Sequence, residues 1–302
     1  MKQRMMILLG AIGLIMVSTA LACAQPLKTF VSSTGNDAND CRQATPCRTF
    51  AGAVPKTSAK GWITALDSGS YGSVTIDKAL TIQAAPGVTA IIEGGKAADA
   101  VTINAPGSVV VLRNLEIVTT TLASTKGIVM NSVGTLHVEG CLISGFKSAG
   151  VSVLLACDAG GCSKLFVNDS TFRENSGGLR LASVEASIDH CRIENNTTGV
   201  EANAQSKITI RDTIVAGNSD VGLDGPPLGG ARIENCMVTN NGTGIRAANQ
   251  SGAESIFLVS NTTIMGNNVG LAPNGGQIIS FENNRLAVNA TNGAFTSTLQ
   301  QH

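Results

Sequence analysis

Between Val138 and Leu286, apolar and polar positions follow one short phrase that recurs seven times. It reads apolar, two polar residues, a small residue, any residue, apolar, then a turn rich in Asn and Gly before the next apolar position. The copies begin V-E-G-C-L-I at Val138, V-N-D-S-T-F at Val167, I-D-H-C-R-I at Ile188 and I-R-D-T-I-V at Ile210. I-E-N-C-M-V at Ile233, V-S-N-T-T-I at Val259 and F-E-N-N-R-L at Phe281 complete the set. Most lead into a Gly-apolar pair, such as Gly150-Val151, Gly178-Leu179, Gly199-Val200, Gly222-Leu223, Gly244-Ile245 and Gly270-Leu271. The copies start 21 to 29 residues apart, the period of a solenoid in which each repeat is one coil.

Side chains alternate across a strand, so Val151 and Val153 are predicted to point inward and Ser152 outward. Leu179 and Leu181 flank Arg180 in the same way, as Ile208 and Ile210 flank Thr209. Three strands of about three to five residues fit each copy. One coil alone leaves its apolar face open, and stacking against the next coil buries it. Stacked coils lie about 4.8 Å apart and their strands form parallel sheets. Equivalent positions then become ladders. An inward ladder is predicted through Cys141, Ser170, Cys191, Thr213, Cys236, Thr262 and Asn284. A turn ladder precedes it through Gly140, Asp169, His190, Asp212, Asn235, Asn261 and Asn283, where Asn and Asp tolerate left-handed backbone.

The first 24 residues read as an export signal: Lys2 and Arg4, an apolar stretch from Met5 to Val17, and Ala22-Cys23-Ala24 as a small-residue cleavage site. Cleavage is expected after Ala24. Ala20-Leu21-Ala22 matches a lipobox poorly, which argues against a lipoprotein acylated at Cys23. The apolar stretch is too short to span a membrane in the mature chain. About 278 of the 302 residues remain, enough for one elongated domain in an oxidising compartment, secreted or periplasmic. With 21 basic and 21 acidic residues the chain has no net charge to attract nucleic acid. Its 34 glycines suit short strands joined by tight turns.

The repeated phrase resembles right-handed parallel β-helix proteins of the pectin-lyase-like superfamily, over roughly residues 27 to 295. T-F-V-S-S-T-G-N-D at Thr29 and T-P-C-R-T-F-A-G-A-V at Thr45 look like the N-terminal segment of such proteins. The resemblance implies an all-β, right-handed solenoid of about nine coils with a short capping helix at its start. A strand is expected at Trp62 to Leu66 and a turn around Gly69 and Tyr71. The expected organisation is a signal over 1–24, an N-terminal segment and cap over 25–72, the β-helix over 73–295 and a tail over 296–302. The superfamily hosts lyases, hydrolases, epimerases, adhesins and non-catalytic proteins, so the fold leaves activity open.

Seven cysteines survive cleavage. Cys41 with Cys47, and Cys157 with Cys162, are close in sequence and predicted to form disulfides. A zinc site from these four lacks knuckle spacing. Cys141, Cys191 and Cys236 lie two coils apart, beyond disulfide reach, and are expected to be buried thiols.

Four charges attract chemistry. On the strand after each Gly, the outward residues run Ser152, Arg180, Glu201, Asp224, Arg246 and Ala272. In pectate-lyase-like enzymes this first sheet carries the active groove, and the loops Leu154–Lys164, Asp224–Gly230 and Ala247–Ser255 are enlarged here. As a lyase, Glu201 and Asp224 would bind Ca²⁺ against a uronate, with Arg180 or Arg246 taking the proton. As a glycosidase, the two carboxylates would be acid and base. The alternative is a salt-bridged ladder on an exposed sheet. The superfamily's hydrolase signatures (Asn-Thr-Asp, Asp-Asp, Gly-His-Gly, Arg-Ile-Lys) are absent, and Trp62 and Tyr71 both fall in the N-terminal region. The expected function is therefore a non-catalytic, monomeric envelope or extracellular protein that meets a polysaccharide or an envelope protein and needs no cofactor. A lyase or hydrolase on acidic polysaccharide is the alternative.

Three other features carry both a functional and a structural reading. Asp169, His190 and Asp212 stack as a metal or acid–base set, or as an ordinary polar turn ladder. Leu142, Ile214 and Met237 alternate with Thr171, Arg192 and Thr263 as an outward stripe, a possible docking face. The Asn-x-Ser/Thr triplets at Asn168, Asn196, Asn241, Asn249, Asn261 and Asn289 include several expected at turn-ladder positions, and they fit the fold's demand for Asn better than glycosylation. His137 is expected on a solvated face and His302 at the terminus.

Overall fold

The computed structural model describes residues 25–95, 99–119, 126–154, 161–203 and 205–300. The expected export signal, Cys157 and His302 lie outside them. The chain winds into three parallel sheets. One coil shows the plan: Ala149–Leu154 lies in sheet 1, Ser163–Asn168 in sheet 2 and Thr171–Arg173 in sheet 3. Gly177–Ala182 then returns to pair in parallel with Ala149–Leu154. Among the described residues sheet 2 has 12 strands and the other two have 10 each. Sheet 1 counts nine successive coils between Val74–Ile76 and Val269–Asn274, as the repeat period led one to expect.

The predicted registers hold. On sheet 2 an aliphatic column runs Val138, Val167, Ile188, Ile210, Ile233 and Val259, each 0 or 1% exposed. On sheet 1 the apolar residue after each Gly stacks likewise, from Val151 through Leu179, Val200, Leu223 and Ile245 to Leu271. The glycines between them are required by close approach. A Cβ on Gly199 would lie 2.4 Å from the carbonyl oxygen of Gly222, and one on Gly178 would lie 2.5 Å from that of Gly199. Backbone cannot yield there as a side chain can.

The turn ladder takes the expected left-handed backbone, with φ of 51° at Asp169, 51° at His190, 48° at Asp212, 52° at Asn235 and 44° at Asn261. The inward ladder is buried from Cys141 to Thr262 and only partly so at Asn284, and its hydroxyls serve the thiol rungs. Ser170 Oγ accepts from the Cys141 amide at 3.1 Å and Thr213 Oγ1 from the Cys191 amide at 3.2 Å.

Three expectations change. Lys28–Val31 and Gly61–Ala65 already form the first two strands of sheet 2, and Ser297–Thr298 pairs with its last long strand. The solenoid thus runs through both boundaries placed at 72 and 295, because edge strands need a partner for their backbone groups. Second, Asn196, Asn241 and Asn289 belong to a separate ladder with Asn175, Asn218 and Asn267, not to the turn ladder. From Asn196 to Asn289 each side-chain oxygen accepts the backbone amide and side-chain amide of the Asn one coil before, and at the first rung Asn175 accepts the Phe146 amide at 3.0 Å. Asn196 and Asn241 are 2% exposed, so the glycan reading fails at both. Third, Ser152 is 2% exposed and does not open to solvent.

The predicted cap is the helix Phe50–Ala53, extended by a single 3-10 turn over Val54–Lys56. Thr49 is its N-cap, accepting the Gly52 amide, and Cys41–Cys47 is a disulfide packed beside it. Cys162 is also disulfide-bonded. Oxidation of Cys41, Cys47 and Cys162 removes the thiolates that a zinc site would need. Cys141, Cys191 and Cys236 are free and buried. Burial pushes the Cys141 thiol up to about 12 and those of Cys191 and Cys236 up to about 11.

Candidate functional site

Sheet 1 brings the four predicted charges together on consecutive strands: Arg180 beside Glu201, Glu201 beside Asp224, Asp224 beside Arg246. The stacking is as expected, and the contacts within it are specific. Arg246 forks Asp224, its Nε on Oδ1 and its terminal nitrogen on Oδ2, both at 2.8 Å. It also reaches Asp220 Oδ2 at 3.5 Å. Arg180 Nε lies 2.8 Å from Glu201 Oε2. That contact is an ion pair whose N–H is not aimed at the oxygen, since Arg180 Nε makes no aligned hydrogen bond. Glu201 Oε1 accepts from Asn203 at 3.1 Å.

All four carboxylate oxygens therefore already face a donor or cation. The hydrogen bonds that Arg246 donates to Asp224 raise its pKa, outweighing the opposite effect of its partial burial. A Ca²⁺ ion takes six to eight oxygen ligands. Glu201 and Asp224 fit it poorly, because both oxygens of each already face a donor or cation.

The enlarged loops wall a groove, but beside sheet 2 and not over this ladder. Gly229 closes a turn on Pro226, its amide donating to that carbonyl at 2.8 Å. Asn249 and Gln250 pair antiparallel with Glu254 and Ala253 as a hairpin. Leu228 and Glu254 then face Lys207, Arg232, Ile256 and Leu258 across a cleft of about 310 Å³. Loop length was legible, but the direction in which each loop folds was not. Of the Leu154–Lys164 loop, residues 155–160 lie outside the described residues.

The turn set also differs from expectation. His190 and Asp212 come together with Asp189, not Asp169, their candidate ligand atoms all within 4.8 Å of one another. Asp189 ends the sheet 2 strand Val184–Asp189 and adjoins His190 directly. The outward stripe on sheet 3 stacks as predicted, from Leu142 to Thr263, with Met237 44% exposed. His137 has a partner that its lone position in the sequence hid: its ring stacks on Phe166 one coil on, centroids 4.8 Å apart.

Three parallel sheets, an aliphatic interior and ladders of Asn and Gly define a parallel β-solenoid. A family model described as a right handed beta helix region matches residues 126–286, more than half of the chain, and the chain belongs to that family. Among solved structures it is similar to the alginate lyase from Paenibacillus sp. str. FPU-7, at 12% identity and TM-score 0.61 over 91% of this chain and 98% of that one. A complex of XylC with xylose aligns at 11% identity and TM-score 0.63, over 85% of this chain and 67% of that one. The pectate lyase Pel9A aligns at 15% identity and TM-score 0.56, over 84% and 67%. At these identities the likeness is one of fold. No curated protein matches the chain.

Proposed function

We propose that this is an exported, non-catalytic β-helix protein that offers a rigid surface to an envelope protein or a polysaccharide. The observation that carries this reading is the self-neutralised ladder. A uronate lyase needs an arginine ready to accept a proton, and Arg246 is held more firmly protonated by Asp224. A calcium-dependent step needs free carboxylate oxygens, which Glu201 and Asp224 lack. Export is supported by the leader-like first 24 residues and by the Cys41–Cys47 disulfide, a bond that persists in oxidising compartments.

The second reading is a lyase or hydrolase on acidic polysaccharide using Arg180, Glu201, Asp224 and Arg246. It is favoured by the lyases that share the fold. One experiment separates the two. The mature protein is incubated with pectate and with alginate, with and without Ca²⁺, and unsaturated uronate is followed by absorbance while a glycan array reports binding. The expected result is no release of product. Turnover lost in Glu201→Gln or Asp224→Asn would establish the enzyme instead.

A further inference from the structure

The turn between sheets 2 and 3 holds a ligand set unlike the neutralised ladder on sheet 1. We propose that Asp189, His190 and Asp212 form a site for a single divalent metal of the zinc class, independent of the function proposed above.

The donor set comes first. One imidazole and two carboxylates place ligand atoms within 4.8 Å of one another. His190 Nδ1 stands 3.4 Å from Asp189 Oδ1. That is long for a hydrogen bond, but bonds of 2.0–2.1 Å around a tetrahedral zinc put neighbouring ligands about 3.4 Å apart. A nitrogen with two oxygens suits zinc and its neighbours, whereas calcium prefers oxygen alone.

An independent observation points the same way. Asp189 Oδ1 is shut off from solvent and has no hydrogen-bond partner among the described residues. A buried carboxylate oxygen without a donor is costly. A cation beside it would remove that cost. The second oxygen of each carboxylate is already held, Asp189 Oδ2 by Arg211 at 2.6 Å and Asp212 Oδ1 by the Asn235 amide. Outer hydrogen bonds of this kind orient metal-binding carboxylates. Here they leave one oxygen of each for the metal. On sheet 1, by contrast, no carboxylate oxygen is free and no imidazole is present.

The site also has an open side. His190 and Asp212 line a groove of about 370 Å³ that continues past Ile214 and Met237. Three protein ligands and an open fourth position would leave that place to water or a small ligand from the groove.

The test uses mature protein without a histidine tag, freed of metal by dialysis against chelator and titrated with Zn²⁺ in competition with a chromogenic chelator. Co²⁺ absorption serves as a second readout of coordination geometry. The variants are His190→Asn and Asp212→Asn. The turn ladder already carries Asn at Asn235 and Asn261 with the same left-handed backbone, so both should fold. His137→Gln is the control. One Zn²⁺ per chain is expected for the wild type and the control, with affinity at least tenfold lower in each Asn variant. The proposal is overturned if the wild type shows no saturable binding, if His190→Asn binds as tightly as the wild type, or if the control loses as much as His190→Asn.

Discussion

Asn218 shows what a single residue does in this fold. It is fully buried, and its side-chain oxygen accepts both the backbone amide of Asn196 at 3.1 Å and its side-chain amide at 3.0 Å. Its own amide donates to the Ile193 carbonyl at 3.1 Å and to Asn241 at 2.9 Å. Every polar atom of the side chain is thus satisfied by the neighbouring coils. Asn218→Asp keeps the shape but replaces two donations with a carboxylate facing two acceptors. Leaving buried polar groups unpaired in this way should cost about 3 kcal/mol or more. Urea unfolding of the variant would show the loss as a lower midpoint, and an unchanged midpoint would contradict the ladder's role. The sequence announced the turn ladder because Asp, Asn and Gly recur at one step of the phrase. It did not announce the buried Asn ladder, because a polar residue after an apolar strand looks the same whether its amide turns inward or outward. The same limit applied to Asp189, whose partnership with His190 and Asp212 depends on which way a turn projects its side chains.

At the scale of elements the cap is the part built differently. Phe50 of the helix packs on Tyr71, ring centroids 5.0 Å apart, and both are fully buried. Tyr71 donates its hydroxyl to Asp67 at 2.6 Å, and Asp67 also accepts from Ser32 Oγ at 2.6 Å and the Ser33 amide at 2.7 Å. Asp67 therefore ties the first strand to the turn beneath the helix. Its partial burial would raise its pKa, but the hydrogen bonds from Ser32, Tyr71 and Ser33 outweigh that and hold the carboxyl below 3.8. A folded-state value below the unfolded one adds stability that is present at neutral pH and disappears as pH falls through the folded value. Asp67→Asn should then lower stability at pH 7 by about 1–2 kcal/mol, the value of a charge-assisted hydrogen bond at a partly exposed site. The gap to wild type should begin to narrow below about pH 4, the ordinary carboxyl value, and close only as the wild-type carboxyl takes up its proton at the lower folded value. Melting temperatures of both proteins from pH 7 down to pH 3 measure this. A gap that stays constant would mean that Asp67 acts by shape and not by charge. The helix and disulfide were legible from T-P-C-R-T-F-A-G-A-V, but this carboxylate was not, since Ser32 and Ser33 lie more than thirty residues before it in the chain and only Tyr71 is near.

For the molecule as a whole, function and stability both depend on phase. Each coil touches its neighbours alone, so stability is close to a sum of coils and the interfaces between them. The sharpest consequence concerns deletion. Ser187 pairs with Thr209 and Ile188 with Ile210, so removing the 22 residues Ile188–Thr209 joins Ser187 to Ile210 in the phase that Thr209 had. Every ladder closes over the gap: Leu179 meets Leu223, Asn175 meets Asn218, and Arg180 comes to lie beside Asp224. Removing only Gly199–Thr209 instead joins a sheet 1 strand at Thr198 to the middle of a sheet 2 strand at Ile210. That sends everything downstream to the wrong face and buries polar residues against the aliphatic column. The whole-coil deletion should keep a β-type circular dichroism spectrum and a cooperative melt at reduced temperature, and the half-coil deletion should give no cooperative melt. If the shorter deletion folded as well as the longer, stacking in register would not be what holds the chain together. The charged ladder on sheet 1 would then be a coincidence of sequence, and the proposed metal cluster on the turns would lose the alignment that assembles it.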